Sequence, residues 1–427
     1  MTLTKLGYRP RLIDDFIPKY LEAFGAVLIE GAKYCGKTWT SLHHSESVYY
    51  VSDPTGNYAN RTRALIDPAG VLSGDEPRLI DEWQEAPGIW DAIRFTVDQE
   101  NKKGRFLITG SSTAVKIETT HSGTGRIARL KMRPMTLFES GESSGAVSLS
   151  DLIAQHEIKP APGTLDLDKL IRLTVRGGWP ESLGLPESAA ALLPEQYLLA
   201  LAQSDISRLD GVKRDAAKTT ALIASLARNA GQIVNLTTYE KDIEQYSSGE
   251  RLSTQTISEY LAKLKELFII EELPGWAPAL RSPVRLRSTP KRFFVDPSLV
   301  VAGLRANSLS LTEDMKTLGF VFENIVVRDL LVYASSHGAD LYHYLDNSQL
   351  DVDVIVSFGS ERWAAIEIKL SSSQEDEAAK KLVRLERKLS DGGISSPLFL
   401  AVITGIGSTA HKRHDGVYVI PIDTLKP

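Results

Sequence analysis

The sequence predicts an α/β protein. It would have a parallel sheet with crossover helices first, a helical middle segment, and a second α/β domain at the C-terminal end. Three observations predict it. Gly31-Ala32-Lys33-Tyr34-Cys35-Gly36-Lys37-Thr38 fits the phosphate-binding pattern G-x-x-x-x-G-K-[ST] without a mismatch, directly behind the apolar run Ala26-Val27-Leu28-Ile29. Further short apolar runs at 48–51, 78–80, 106–108 and 128–132 alternate with helical stretches, the rhythm of a parallel sheet. In the last third, two strands around a turn at Gly359 precede an amphipathic helix and two more strands, at 398–403 and 417–420.

Bulk properties bound the answer. A chain of 427 residues implies two to three domains, and 42% hydrophobic with 24% charged residues is the composition of a soluble globular protein. With a net charge of -5, any nucleic-acid surface must be a local patch. One cysteine, Cys35, excludes an internal disulfide framework and suits a reducing compartment. No apolar run follows the first charges, and no stretch approaches the ~18 apolar residues of a membrane span, so the expectation is a cytoplasmic protein without a membrane partner.

The glycine loop implies ATP. Gly31 and Gly36 permit close backbone approach, and the amides of Ala32, Lys33, Tyr34 and Cys35 can cradle phosphates at a helix start. Lys37 would reach the β/γ-phosphates and Thr38 would ligate Mg²⁺. The strand Arg78-Leu79-Ile80 ends in Asp81 and Glu82; Asp81 fits the metal's hydration shell and Glu82 the base that polarises water. The fourth strand ends in Thr109-Gly110-Ser111-Ser112, whose hydroxyls either orient water or the γ-phosphate beside Glu82, or simply form a Ser/Gly turn. Arg126, just before the fifth strand, could serve a neighbouring subunit's ATP, which would require a homo-oligomer, or be a solvated surface arginine. Cys35 is expected beside the phosphates with its thiolate favoured, so that its alkylation blocks ATP binding.

These residues resemble one family. The runs Tyr8-Arg9-Pro10-Arg11-Leu12-Ile13-Asp14, Gly36-Lys37-Thr38, Leu79-Ile80-Asp81-Glu82-Trp83-Gln84, Leu107-Ile108-Thr109-Gly110-Ser111-Ser112 and Gly125-Arg126 carry the likeness. The chain is similar to prokaryotic AAA-type P-loop ATPases that carry a C-terminal domain of unknown function with a restriction-endonuclease-like fold. The resemblance implies that Ser111 takes the first sensor position and Arg126 the arginine-finger position. Lys33, Tyr34 and Cys35 replace the arginine and small residues usual in the loop.

The expected domains are an ATPase domain (1–135), a loose connection (136–195), a helical and winged-helix segment (196–292) and a restriction-endonuclease-like domain (293–427). The connection is rich in Ser, Gly, Pro and Ala, and its Arg176-Gly177-Gly178-Trp179-Pro180 run reads as a tight turn. Leu201, Ile206, Leu222, Ile223, Leu226 and Ala227 supply a helical apolar face. A further helix from Thr254 buries Ile257, Leu261, Leu264 and Phe268 and turns Thr254, Gln255 and Ser258 outward, as a DNA-recognition helix does. Arg281, Arg285, Arg287, Lys291 and Arg292 follow without an acid, a basic wing fit to track DNA phosphates.

In the last domain Asp351 and Asp353 alternate on one strand, Glu367 and Lys369 on the next. One Asp with Glu367 and Lys369 forms the D…E-x-K pattern of Mg²⁺-dependent nucleases, with Glu323 on a preceding helix as an extra metal ligand. The resemblance selects Asp353 as the ligand. The resulting reading is an ATP- and Mg²⁺-dependent ATPase coupled to a DNA-binding winged helix and a nuclease-like domain. Its alternatives are an ATP-gated DNA nuclease and a non-catalytic, nucleotide-switched regulator that binds DNA or protein.

Overall fold

The computed structural model describes residues 3–111, 123–209, 214–246, 251–278, 288–359 and 361–427. It divides into two compact units: residues 1–134 with 208–212 and 263–269, and the remainder.

The first unit is built on an all-parallel sheet of five strands: β1 (Ala26–Glu30), β2 (Ser47–Tyr50), β3 (Arg78–Asp81), β4 (Phe106–Gly110) and β5 (Ile127–Lys131), in the order β2-β3-β4-β1-β5. β1 and β4 read as near-continuous apolar runs because both of their faces are covered. Alternation divides them between two cores. Ala26, Leu28, Ile80, Phe106 and Ile108 pack with Trp83, Trp90, Ile93 and Val97 on one face. Val27, Ile29, Leu79 and Leu107 pack with Ile17, Leu42 and Met132 on the other. The chain leaves β1 for β2 at one edge of the sheet, while β4 hands over to β5 at the other. The C-terminal end of β1 is therefore a topological switch point, where open α/β sheets bind ligands.

In the second unit, residues 136–195, expected as a loose connection, carry β6 (Val147–Ser148), β7 (Ala161–Pro162) and the helix Leu167–Arg176. Composition conceals what orders them. The Asp166 side chain caps that helix by accepting from the Lys169 amide, and Asp329 accepts from the Leu137 amide. Helices Ala216–Arg228, Leu236–Tyr246 and Thr254–Glu266 follow. An antiparallel pair comes next, β8 (Ile270–Leu273) with β9 (Lys291–Phe294). Leu201, Ile206, Leu222, Ile223, Leu226 and Ala227 are all buried, as their spacing predicts.

The remaining strands are β10 (Asp340–Leu345), β11 (Asp351–Ser357), β12 (Trp363–Ser371), β13 (Leu400–Ile406), β14 (Thr409–Lys412), β15 (Tyr418–Pro421) and β16 (Leu425–Lys426). They form a mixed seven-stranded sheet, β10-β11-β12-β13-β15-β14-β7, and a small β16-β6 pair. β10 is absent from the sequence reading; its run Asp-Leu-Tyr-His-Tyr-Leu sets three polar rings in a row, Tyr342, His343 and Tyr344, between two leucines. The helix Glu375–Asp391 lies between β12 and β13 in the chain and buries Ala378, Ala379, Leu382, Leu385 and Leu389. Three acids in its first turn suit the positive end of the helix dipole. The helix Met315–Ser336 is buried along most of its length, including the charged pair Arg328 and Asp329. Among the described residues, no helix is long and apolar enough to cross a membrane.

Candidate functional site

The loop at residues 31–38 leaves the C-terminal end of β1 and runs into the helix Lys37–His43. Two of its glycines are required by geometry. A Cβ at Gly31 would sit 2.1 Å from the Met132 carbonyl oxygen, and Gly36 adopts φ 106° at the helix cap. The Lys37 ammonium is buried and donates to the carbonyl oxygens of Gly31 (2.9 Å) and Ala32 (2.8 Å). Thr38 Oγ1 donates to Asp81 Oδ1 at 2.9 Å, so hydroxyl and carboxylate meet as expected.

Asp81 ends β3 and receives a second hydroxyl on the same oxygen, from Thr109 of β4 at 2.6 Å. Burial pushes its pKa up, and the Glu82 charge adds to this, while the bonds from Thr109 and Thr38 oppose it. Glu82 takes a left-handed backbone (φ 59°), and its amide donates to Thr109 Oγ1 at 3.2 Å. Its carboxylate accepts from the Gln84 side-chain amide and from Ser111 Oγ, the latter at 3.3 Å. Thr38, Asp81, Glu82 and Ser111 are thus one connected cluster. Sequence reasoning assigned no individual role to Thr109 or Gln84; their signal was adjacency to the two acids. A hydroxyl beside a half-buried carboxylate is a fitting donor set for Mg²⁺, which takes few protein oxygens and completes its shell with phosphate and water.

Arg11 is a further contributor that no spacing rule reveals. Its buried guanidinium donates to the Cys35 carbonyl (2.8 Å) and the Arg133 carbonyl (2.7 Å), pinning the loop's backbone from below.

One expectation about this unit changes. Cys35 is fully buried in the apolar cluster with Ile17, Leu42 and Met132, and its thiol lies 3.7 Å from the Met132 carbonyl oxygen. The loop turns this side chain into the core and leaves Tyr34 exposed instead, so no accessible thiolate borders the phosphates. Arg126 stands beside the N-terminal end of β1, because Ala26 registers with Ile127, whereas the glycine loop leaves the opposite end. It donates to Asp98 (2.6 Å) and is half exposed. Arg126 is therefore remote from its own chain's loop. Ser112 lies outside the described residues.

The second unit gathers another set of predicted residues. Asp353 on β11 and Glu367 and Lys369 on β12 share one face, with Lys369 Nζ 2.8 Å from Glu367 and 3.6 Å from Asp353. Two lysines not anticipated there complete the cluster. Lys291 of β9 sits 2.9 Å from Glu323 and 3.3 Å from Asp353. Lys381 of the helix Glu375–Asp391 reaches Glu367 at 2.9 Å and Asp351 at 3.0 Å. Burial pushes Glu323 and Glu367 up to about 7. Burial also acts to raise Asp353, but the charges of Lys291, Lys369 and Lys381 outweigh it and hold the carboxyl down to about 2. Lys291 and Lys369 are raised because their carboxylate partners outweigh burial.

That arrangement corrects the expected basic wing. Lys291 faces the buried cluster, and Arg292 pairs with Glu272 at 3.0 Å, so neither is a free surface base. Arg281, Arg285 and Arg287 lie outside the described residues. On the helix Thr254–Glu266, Ile257, Leu261 and Leu264 are buried, Gln255 and Ser258 are exposed, and Thr254 is half-buried; Phe268, beyond its end, is buried too.

Comparison with known proteins agrees with the first unit. Residues 23–140 match the family model described as an AAA domain, and the chain carries an AAA-type P-loop ATPase domain. Residues 167–310 and 318–425 match two models described as domains of unknown function, DUF8612 and DUF4143. An uncharacterized protein of Mycobacterium tuberculosis is 23% identical over 402 residues, covering 93% of this chain and 80% of the relative; one of Mycobacterium bovis matches equally. Solved structures with partial likeness include the Walker-type ATPase of Pyrococcus abyssi, at 12% identity and TM-score 0.42, over 70% of this chain and 99% of that one. The Aeropyrum pernix ORC2 protein follows at 14% identity and TM-score 0.34, over 74% and 98%.

Proposed function

We propose that this protein hydrolyses ATP with Mg²⁺ and uses the cycle to control a nucleic-acid- or protein-binding second unit. The observation that carries the reading is the connected cluster of Thr38, Asp81, Thr109, Glu82, Gln84 and Ser111 at the mouth of the glycine loop. Thr38 and Asp81 would hold the metal, which offsets phosphate charge when bound.

The chain's own residues account for the rest. Backbone amides of residues 31–38 line the phosphates. Lys37 exchanges its two carbonyl partners for phosphate oxygens, a swap between acceptors that leaves its charge unchanged. Glu82, held by Gln84 and Ser111, accepts a proton from the attacking water. Arg126 would act on a neighbouring copy's nucleotide, since it lies at the far end of the sheet from its own. The exposed Gln255 and Ser258 support a DNA-reading role for the helix Thr254–Glu266, as in a winged helix.

The test is a pair of substitutions. Lys37→Ala should abolish binding of a fluorescent ATP analogue. Glu82→Gln should bind it as wild type does while phosphate release stops. Normal turnover by Glu82→Gln would remove Glu82 as the base.

A further inference from the structure

The D…E-x-K residues come together in space, yet their surroundings do not suit the divalent ion that such a pattern holds in a nuclease. Every carboxylate that would bind metal already faces an ammonium. Asp353 Oδ1 faces Lys291 at 3.3 Å and Oδ2 faces Lys369 at 3.6 Å. Glu367 presents one oxygen to Lys369 at 2.8 Å and the other to Lys381 at 2.9 Å. Glu323 faces Lys291 at 2.9 Å. Asp353 Oδ2 also accepts the Ile368 amide at 2.9 Å.

Three lysines thus occupy the oxygens of Asp353, Glu367 and Glu323, and Lys381 also reaches the exposed Asp351, so the cluster holds its own cations without a metal. A nuclease pattern supplies one lysine of this set, Lys369. Lys381 approaches from the neighbouring helix. Lys291 is the unexpected member, because β9 carries it between Glu323 and Asp353, and its side chain is 8% exposed. A divalent ion must approach carboxylate oxygens to about 2.1 Å for Mg²⁺ and push three nearby ammoniums aside. Among the described residues, no group of three or more His, Cys, Asp or Glu side chains is arranged to hold a metal ion.

We propose that Lys291 is the resident cation of this cluster, standing between Glu323 and Asp353, two of the carboxylates that the D…E-x-K reading assigns to a divalent metal. The second unit then keeps the residues of a metal nuclease site as an internal ion-pair lock, and Asp353 and Glu367 bind neither Mg²⁺ nor Mn²⁺. The lock also joins four parts of the chain: β9, the helix Met315–Ser336, the β11–β12 pair and the helix Glu375–Asp391.

The experiment is a Mn²⁺ titration of the nucleotide-free full-length protein, followed by electron paramagnetic resonance. Wild type and Asp353→Asn should give superimposable isotherms. Lys291→Met should gain about one Mn²⁺ per chain, and the double variant Lys291→Met/Asp353→Asn should lose it again. A wild-type Mn²⁺ site that Asp353→Asn or Glu367→Gln removes would overturn the proposal. So would a folded Lys291→Met protein that gains no site. Should Lys291→Met fail to fold, the wild-type comparison decides alone. Plasmid cleavage in Mn²⁺ by wild type that disappears in Glu367→Gln would overturn it equally.

Discussion

Asp81 is a half-buried carboxylate with two hydroxyl donors on one oxygen, and the two can be separated by mutation. Thr109→Val keeps the shape but removes the 2.6 Å bond to Asp81 and the acceptor for the Glu82 amide. Bonds to charged groups contribute about 1.5–3 kcal/mol. The expected outcome is a fall in kcat on the order of ten- to a hundredfold. ATP-analogue binding should be nearly unchanged, and Thr109→Ser should recover most of the activity. Arg11 predicts a different signature. Lys at this position cannot span two carbonyls as a planar guanidinium does, so Arg11→Lys should loosen the loop and raise KM for ATP more than it lowers kcat. Steady-state kinetics at saturating Mg²⁺ separate the two patterns.

At the scale of elements, the buried ion network around Arg328 holds the helix Met315–Ser336 to the turn at Gly178. Arg328 meets Asp329 at 2.8 Å and Asp296 at 3.1 Å, while Asp296 accepts the Gly178 amide and the Ser298 hydroxyl. Removing one partner of such a buried network leaves an uncompensated charge, so Arg328→Met should destabilise the second unit by about 3–5 kcal/mol. A urea titration measures it. This element also shows what was legible beforehand. The first sheet was readable because each strand is a short apolar run, and the glycine loop fixes which strand is β1. Asp353, Glu367 and Lys369 were readable because strand alternation puts them on one face. Lys291, Lys381, Arg11 and Arg328 were not, since a lysine or arginine reads the same in the sequence whether it faces water, carboxylates 32 and 62 residues away as Lys291 does, or backbone carbonyls as Arg11 does. Cys35 misled for a related reason: the loop pattern fixes the backbone and leaves open which side chain turns inward.

For the whole molecule, acid stability and assembly are the measurable properties. His343 is buried, with its ring 3.1 Å from the Thr289 carbonyl, and burial, assisted by the Lys291 charge, pushes its pKa down to about 4. An unfolded histidine titrates near 6.5, so the unfolded chain takes the proton first. The histidine's contribution is complete above pH ~6.5 and is lost as pH falls toward about 4. Glu323 and Glu367, both raised, act in the opposite sense between their ordinary range and about 7. The histidine's share is therefore read as a difference: the stability gap between wild type and His343→Gln should narrow as pH drops below ~6.5 in parallel denaturant titrations. Assembly tests Arg126. If it completes a neighbour's site, ATP should raise the mass measured by light scattering, and Arg126→Ala should lower turnover while leaving each chain's nucleotide binding intact.

The buried thiol beneath the glycine loop makes a chemical clock. Cys35 is the chain's only cysteine, so a thiol reagent has one place to react, and it can do so only during excursions that lift the loop off Met132 and the core. Labelling speed then reports how often the loop opens. ATP, by binding only the closed form, should slow labelling in proportion to 1 + [ATP]/Kd, about a hundredfold at a hundred times Kd. Nucleotide affinity would be obtained from the decay of one absorbance trace, with no modified nucleotide in the tube.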